Sequence, residues 1–61
     1  MTIDFIVLKK NDLYLSMITG EIDWTEDIDE ACVWEFEDML NTFAQKNGIE
    51  DYEIVDYLVQ I

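Results

Sequence analysis

The stretch Thr19–Asp38, TGEIDWTEDIDEACVWEFED, holds nine carboxylates and no Lys, Arg or His. They are Glu21, Asp23, Glu26, Asp27, Asp29, Glu30, Glu35, Glu37 and Asp38. Crowded carboxylates are suited to three tasks: holding Ca²⁺ or Mg²⁺, working as an acid–base pair, or presenting negative charge to a basic partner. Aligned on Asp23 as a calcium loop, the sixth position, where a glycine turn belongs, is Ile28. The twelfth is Trp34 in place of the bidentate Glu. The pattern fails at both diagnostic places, so no metal ligand is assigned. An acid–base pair acting on glycosides needs a substrate cleft, and 61 residues leave little room for one.

Other catalytic groups are missing or lack partners. The chain has no His, the commonest general base and metal ligand. Cys32, the sole cysteine, therefore has no imidazole to activate it, and neighbouring carboxylates disfavour its thiolate. It reads as a small buried residue on a helix face. Ser16, the only serine, falls in a predicted strand, and there is neither a glycine-rich phosphate loop nor a CxxC. These features point to a non-enzymatic protein with no catalytic residue and no cofactor.

What remains is charge. Fifteen acids against three lysines give −12 on 61 residues. A disordered acidic tail would lack aromatic and β-branched residues, whereas this chain is 51% hydrophobic, has eight aromatics and no Pro, and holds only two Gly. It reads as one folded domain spanning 1–61, close to the lower size limit for a self-sufficient core. A homodimer would be a natural way to enlarge that core. The lone cysteine rules out an intramolecular disulfide and suggests an intracellular, cytoplasmic location. The start MTIDFIVLKK places its lysines after the apolar run, the reverse of a signal peptide. No apolar run approaches the roughly 18 residues of a membrane span, and anionic lipid would repel the chain. Direct binding to nucleic acid is disfavoured by the same charge.

The elements that must position the acids read as follows. TIDFIVL and LYLSMIT are rich in β-formers and flank the polar KKND, predicting a hairpin of Thr2–Lys9 with Leu13–Thr19, closed off by Gly20. Ile3, Phe5 and Val7 share one face of the first strand, and Ile6 and Leu8 share the other. Phe36, Met39, Leu40, Phe43 and Ala44 form one stripe of an amphipathic helix over 35–47. Lys46 suits its last turn, and Asn47-Gly48 supplies a left-handed stop that lets Ile49 fold back. YEIVDYLVQI (52–61) reads as a final strand. A single helix over 26–47 would run about 33 Å and leave Val33 and Trp34 off its stripe. A helical turn at 26–31 followed by an extended Cys-Val-Trp is preferred. The fold class is thus α+β: a small, mainly antiparallel sheet of three strands, with room for a short fourth, and one amphipathic helix on one face.

The string YLSMITGEIDWTEDIDEACVWEF…FAQKNGIEDYEIVDY resembles a pattern common in small phage proteins: a YLS-type strand, a Trp-Thr-acidic turn, an aromatic step into a helix, and a closing E-x-Y-x-I-V strand. The resemblance covers about residues 14–57 and implies a β-β-α-β protein of phage or mobile-element origin. By analogy, small acidic phage proteins include DNA mimics that block restriction, repair or CRISPR enzymes. The expectation is an inhibitor that occupies a basic, nucleic-acid-binding surface of another protein. The nine carboxylates would form its contact set, with Trp24 as anchor. The alternative is a protein-interaction or assembly module with apolar contacts, whose acids serve solubility. Trp24 and Trp34 equally suit core positions, as most tryptophans do.

Overall fold

Asn11 and Asp12 set the first turn. Both take positive φ, 53° and 64°, the left-handed pair that a two-residue hairpin turn requires and that Asn and Asp tolerate. In this computed structural model, which describes all 61 residues, they join β1 (Thr2–Lys10) to β2 (Leu13–Ser16). β3 (Asp23–Thr25) lies against β2, and β4 (Glu53–Gln60) lies against β1. The four strands form one antiparallel sheet in the order β3-β2-β1-β4. With a single helix, α1 (Glu37–Lys46), the fold is a small α+β unit, and β3 is the short fourth strand.

The two faces of the sheet follow from strand alternation. Leu8 and Leu15 lie on one face and form the core with Leu40 and Ala44 of α1. Ile6, Trp24, Trp34, Phe43, Ile49, Tyr52 and Ile54 pack around this cluster. Val7 is also fully buried, although it points to the opposite face. A single 3-10 turn, Ile28–Glu30, covers that face. It is tied down by the Ser16 hydroxyl, which donates to the Glu30 carbonyl at 2.9 Å.

The sheet has an unusual gap. β1 and β2 stay in register only at Lys9–Tyr14 and Lys10–Leu13. Beyond that point residues 32–34 enter beside them. The Cys32 N–H donates to the Leu15 carbonyl, and Ile6 and Trp34 exchange two backbone bonds, each 2.8 Å. The extended Cys-Val-Trp is therefore a piece of the sheet. It carries the chain from the face covered by the 3-10 turn to the face covered by α1, where the rings of Trp34 and Phe43 meet at 5.2 Å.

This insertion corrects several sequence-based expectations. β2 ends at Ser16, not Thr19, because the Leu15 carbonyl is taken by Cys32. Gly20, at φ 85°, closes a separate turn with its N–H on the Met17 carbonyl. Cys32 is half-buried in the extended segment, not on a helix. The helix starts at Glu37, since Phe36 is still extended (φ −124°, ψ 133°) as the chain leaves the sheet. Of the five-residue stripe, Leu40 and Ala44 are buried and Phe43 is half-buried, while Phe36 and Met39 are 62% and 58% exposed. The helix stop is as expected. Gly48 takes φ 68°, its N–H reaches the Gln45 carbonyl, and the Ile49 N–H reaches the Ala44 carbonyl.

Two substitutions test this packing. Leu8→Ala removes the centre of a four-residue core and is expected to cost about 2–5 kcal/mol, enough to unfold most of a domain this small. Gly48→Ala meets no steric obstacle, so its expected cost is only the left-handed penalty of about 1 kcal/mol. Urea denaturation curves of the two variants measure both; equal costs would contradict this assignment of the core.

Candidate functional site

The sheet and its inserted segment sort the nine acids into two groups. Glu21, Asp23, Glu26, Asp27, Asp29 and Glu30 surround β3 and the 3-10 turn, at the β3 edge and on the face away from α1. Glu35, Glu37 and Asp38 follow the crossing at 32–34 and gather at the start of α1, where acids suit the helix dipole. All nine side chains are exposed. They do not converge, since no three are placed to hold one metal ion.

The first group is held in place by its own hydrogen bonds. Asp27 caps the 3-10 turn, its carboxylate accepting from the Asp29 N–H at 2.9 Å. The Thr25 hydroxyl donates to Glu30 at 3.1 Å and accepts from the Asp27 N–H at 3.1 Å. Asp23 accepts from the Trp24 N–H at 2.8 Å. Tyr57, reaching across from β4, donates its hydroxyl to Asp29 at 2.8 Å. Four of the six carboxylates are thus positioned while each keeps lone pairs for an outside donor. Glu21 and Glu26 make no such bond and extend freely.

None of the nine acids forms an ion pair. The sole ion pair in the protein joins Lys9 to Asp12 at 4.0 Å, in the hairpin turn. Lys9 and Lys10 flank that turn, and Lys46 ends the helix; Gly48 and Ile49 share a pocket with Lys10 and Asn11. Lys10 shares that pocket with Trp24 of β3, and Lys46 lines a groove with Asp38, so the lysines lie near the acids without pairing with them.

Trp24 stands apart from the acids that flank it in sequence. Opposite Leu15 in the β2–β3 pair, it points to the helix face and packs on the core. Half-buried there, it holds β3 to the core, and β-strand alternation is the signal that separates it from its neighbours Asp23 and Thr25. Tyr57 is the residue that sequence reasoning did not connect to the site. It lies 28 positions from Asp29, and only the fold brings the two together. Burial pushes the Cys32 thiol up, which disfavours its thiolate.

The hydrogen bond to Asp29, aided by burial and by the negative charges of Asp29 and Asp27, raises the Tyr57 phenol above its ordinary range. The folded state thus keeps a proton that an unfolded tyrosine releases near pH ~10. The contact stabilises the fold below that pH and is lost as pH rises through the raised value. Tyr57→Phe is expected to destabilise the protein at neutral pH and to flatten the loss of stability above pH ~10. Denaturation curves at both pH values check this; parallel losses in the two proteins would contradict it.

The chain matches no family model, no curated protein and no solved structure. No helix is long and apolar enough to cross a membrane.

Proposed function

We propose that this protein is a small inhibitor that binds a basic, nucleic-acid-binding surface of another protein and presents its carboxylates in place of phosphates. The supporting observation is the β3 edge group: six exposed acids, four of them fixed by internal hydrogen bonds, and none of them in an ion pair. A solvated coat needs only charge, whereas fixed carboxylates lose less freedom when a partner's Arg or Lys meets them. Spread over 4521 Å², twelve net charges average one per about 380 Å². B-DNA carries one charge per ~1.7 Å of axis, about one per 110 Å² of its surface. Gathering six acids at the β3 edge and on the adjoining 3-10 turn raises the local density toward that of DNA. The partner is a basic protein, consistent with a nucleic-acid enzyme of the cell in which the chain resides, and the site of action is the cytoplasm. No catalytic step and no cofactor belong to this reading.

A second reading rests on the helix. Phe36 and Met39, exposed beside a groove lined by Trp34, Asp38, Thr42, Phe43 and Lys46, suit an apolar protein contact in which the acids serve only solubility.

Variants of Asp27 or Glu30 would loosen the 3-10 turn as well as remove charge, so Glu21 and Glu26 are the sharper probes. Glu21→Lys with Glu26→Lys is expected to leave the fold intact. It should weaken capture of basic partners from a bacterial lysate at least about tenfold, given that close charge pairs couple by about 1.5 kcal/mol or more. Duplex DNA should displace those partners from the unaltered chain. Partners retained by the double variant and indifferent to DNA would overturn the reading in favour of the apolar one.

A further inference from the structure

The two edges of the sheet are treated differently. The β3 edge is three residues long and bordered by acids, which blunts it against pairing. The β4 edge is eight residues long and lies in unbroken register with β1 from Thr2–Gln60 to Lys9–Glu53. It has no bulge and no proline, two of the devices by which edge strands avoid association. Its acids are Glu53 and Asp56 alone, and Leu58 departs from the apolar–polar alternation by standing 62% exposed on the face of Asp56. Val55, Tyr57 and Val59 line one face, and Ile54 and Leu58 lie on the other. The accessible surface of 4521 Å² exceeds the roughly 4,100 Å² that scaling gives a monomer of this mass.

The hydrogen bonds fix which groups this edge offers. Ile6 spends its N–H and carbonyl on Trp34, away from β4. Its β4 partner Asp56 is therefore in a non-hydrogen-bonded pair, and the Asp56 N–H and carbonyl point outward. By alternation, Ile54, Leu58 and Gln60 also present free backbone groups at the edge. We infer that β4 pairs antiparallel with β4 of a second copy of this chain, centred on Tyr57, to form a two-fold dimer with one eight-stranded sheet.

Register selects this arrangement. An isologous pair must bond outward residues to outward residues, so the two-fold axis falls on a single residue of β4. Centring on Asp56 would set two carboxylates opposite each other, which is destabilising. Centring on Val55 or Leu58 shortens the overlap. Centring on Tyr57 keeps seven of the eight residues paired and places no acid directly opposite another, the two Asp56 side chains being diagonal neighbours. Asp56 faces Leu58 of the second copy, Ile54 faces Gln60, Val55 faces Val59, and the two Tyr57 rings meet in a close non-hydrogen-bonded pair. The acidic β3 edges then lie at opposite ends of the sheet, about 34 Å apart at 4.8 Å per strand. Two basic surfaces can be engaged at once.

Sedimentation of the native chain is the primary test, and it does not depend on partner binding. The expected mass is twice 7.2 kDa, with dimerisation tightened by added salt, because salt screens repulsion between two chains of charge −12. Asp56→Pro removes an N–H that is unbonded in the monomer but bonded across the dimer, so the variant should sediment as a folded monomer. In a Cys32→Ser background, mixed Val55→Cys and Val59→Cys chains should form a disulfide-linked dimer on mild oxidation, and Val55→Cys alone should not. A native chain that stays monomeric at millimolar concentration overturns the inference. Cross-linking of Val55→Cys to itself overturns the register.

Discussion

The pair of backbone hydrogen bonds between Ile6 and Trp34 is the constraint on which the rest of the molecule depends. Without it, residues 32–34 would keep only the Cys32–Leu15 bond to the sheet, and β1 would lack a neighbour below the short register it shares with β2. The bridge delivers Trp34 to the helix face, where it meets Phe43, and so sets where α1 begins. It also leaves the preceding 3-10 turn on the opposite face, over Val7 and within reach of Ser16 and Tyr57. Through strand alternation it even decides which backbone groups of β4 face solvent. Two hydrogen bonds thus govern the helix, the acidic edge and the free edge together.

The core these bonds organise is small. Five apolar residues are fully buried, and most aromatics only half so. The protein keeps its acids off this core by exposing all fifteen, most of them in loops, the short edge strand and the helix start, with Asp4 on β1 and Glu53 and Asp56 on β4. Self-repulsion at −12 is relieved by exposure, since every carboxylate reaches water and fourteen of fifteen lack an ion pair. The same arrangement that makes the charge tolerable for folding makes it usable for binding.

Much of this was legible in the sequence. The hairpin turn, the helix stop at Asn47-Gly48, the helical turn before an extended Cys-Val-Trp, and the closing strand each rest on local chemistry that reads directly. What did not read was non-local. Nothing in LYLSMIT reveals that Cys32 takes the Leu15 carbonyl and ends the strand. Periodicity marked Phe36 and Met39 as core positions, but the bridge at Trp34 and the narrow sheet leave them in solvent. The candidate site shows the same division. The acids were evident as a run, whereas their split across two faces, the inward turn of Trp24 and the bond from Tyr57 to Asp29 arise only from the chain crossing the sheet.

The claim that the acidic edge stands in for phosphate is tested most directly by the ionic-strength dependence of a captured partner's binding constant. Charge mimicry predicts that log K falls steeply and linearly with log salt concentration, as it does when the same partner binds DNA. A binding constant that barely changes across that range would contradict the account, and would assign recognition to the apolar surface beside α1.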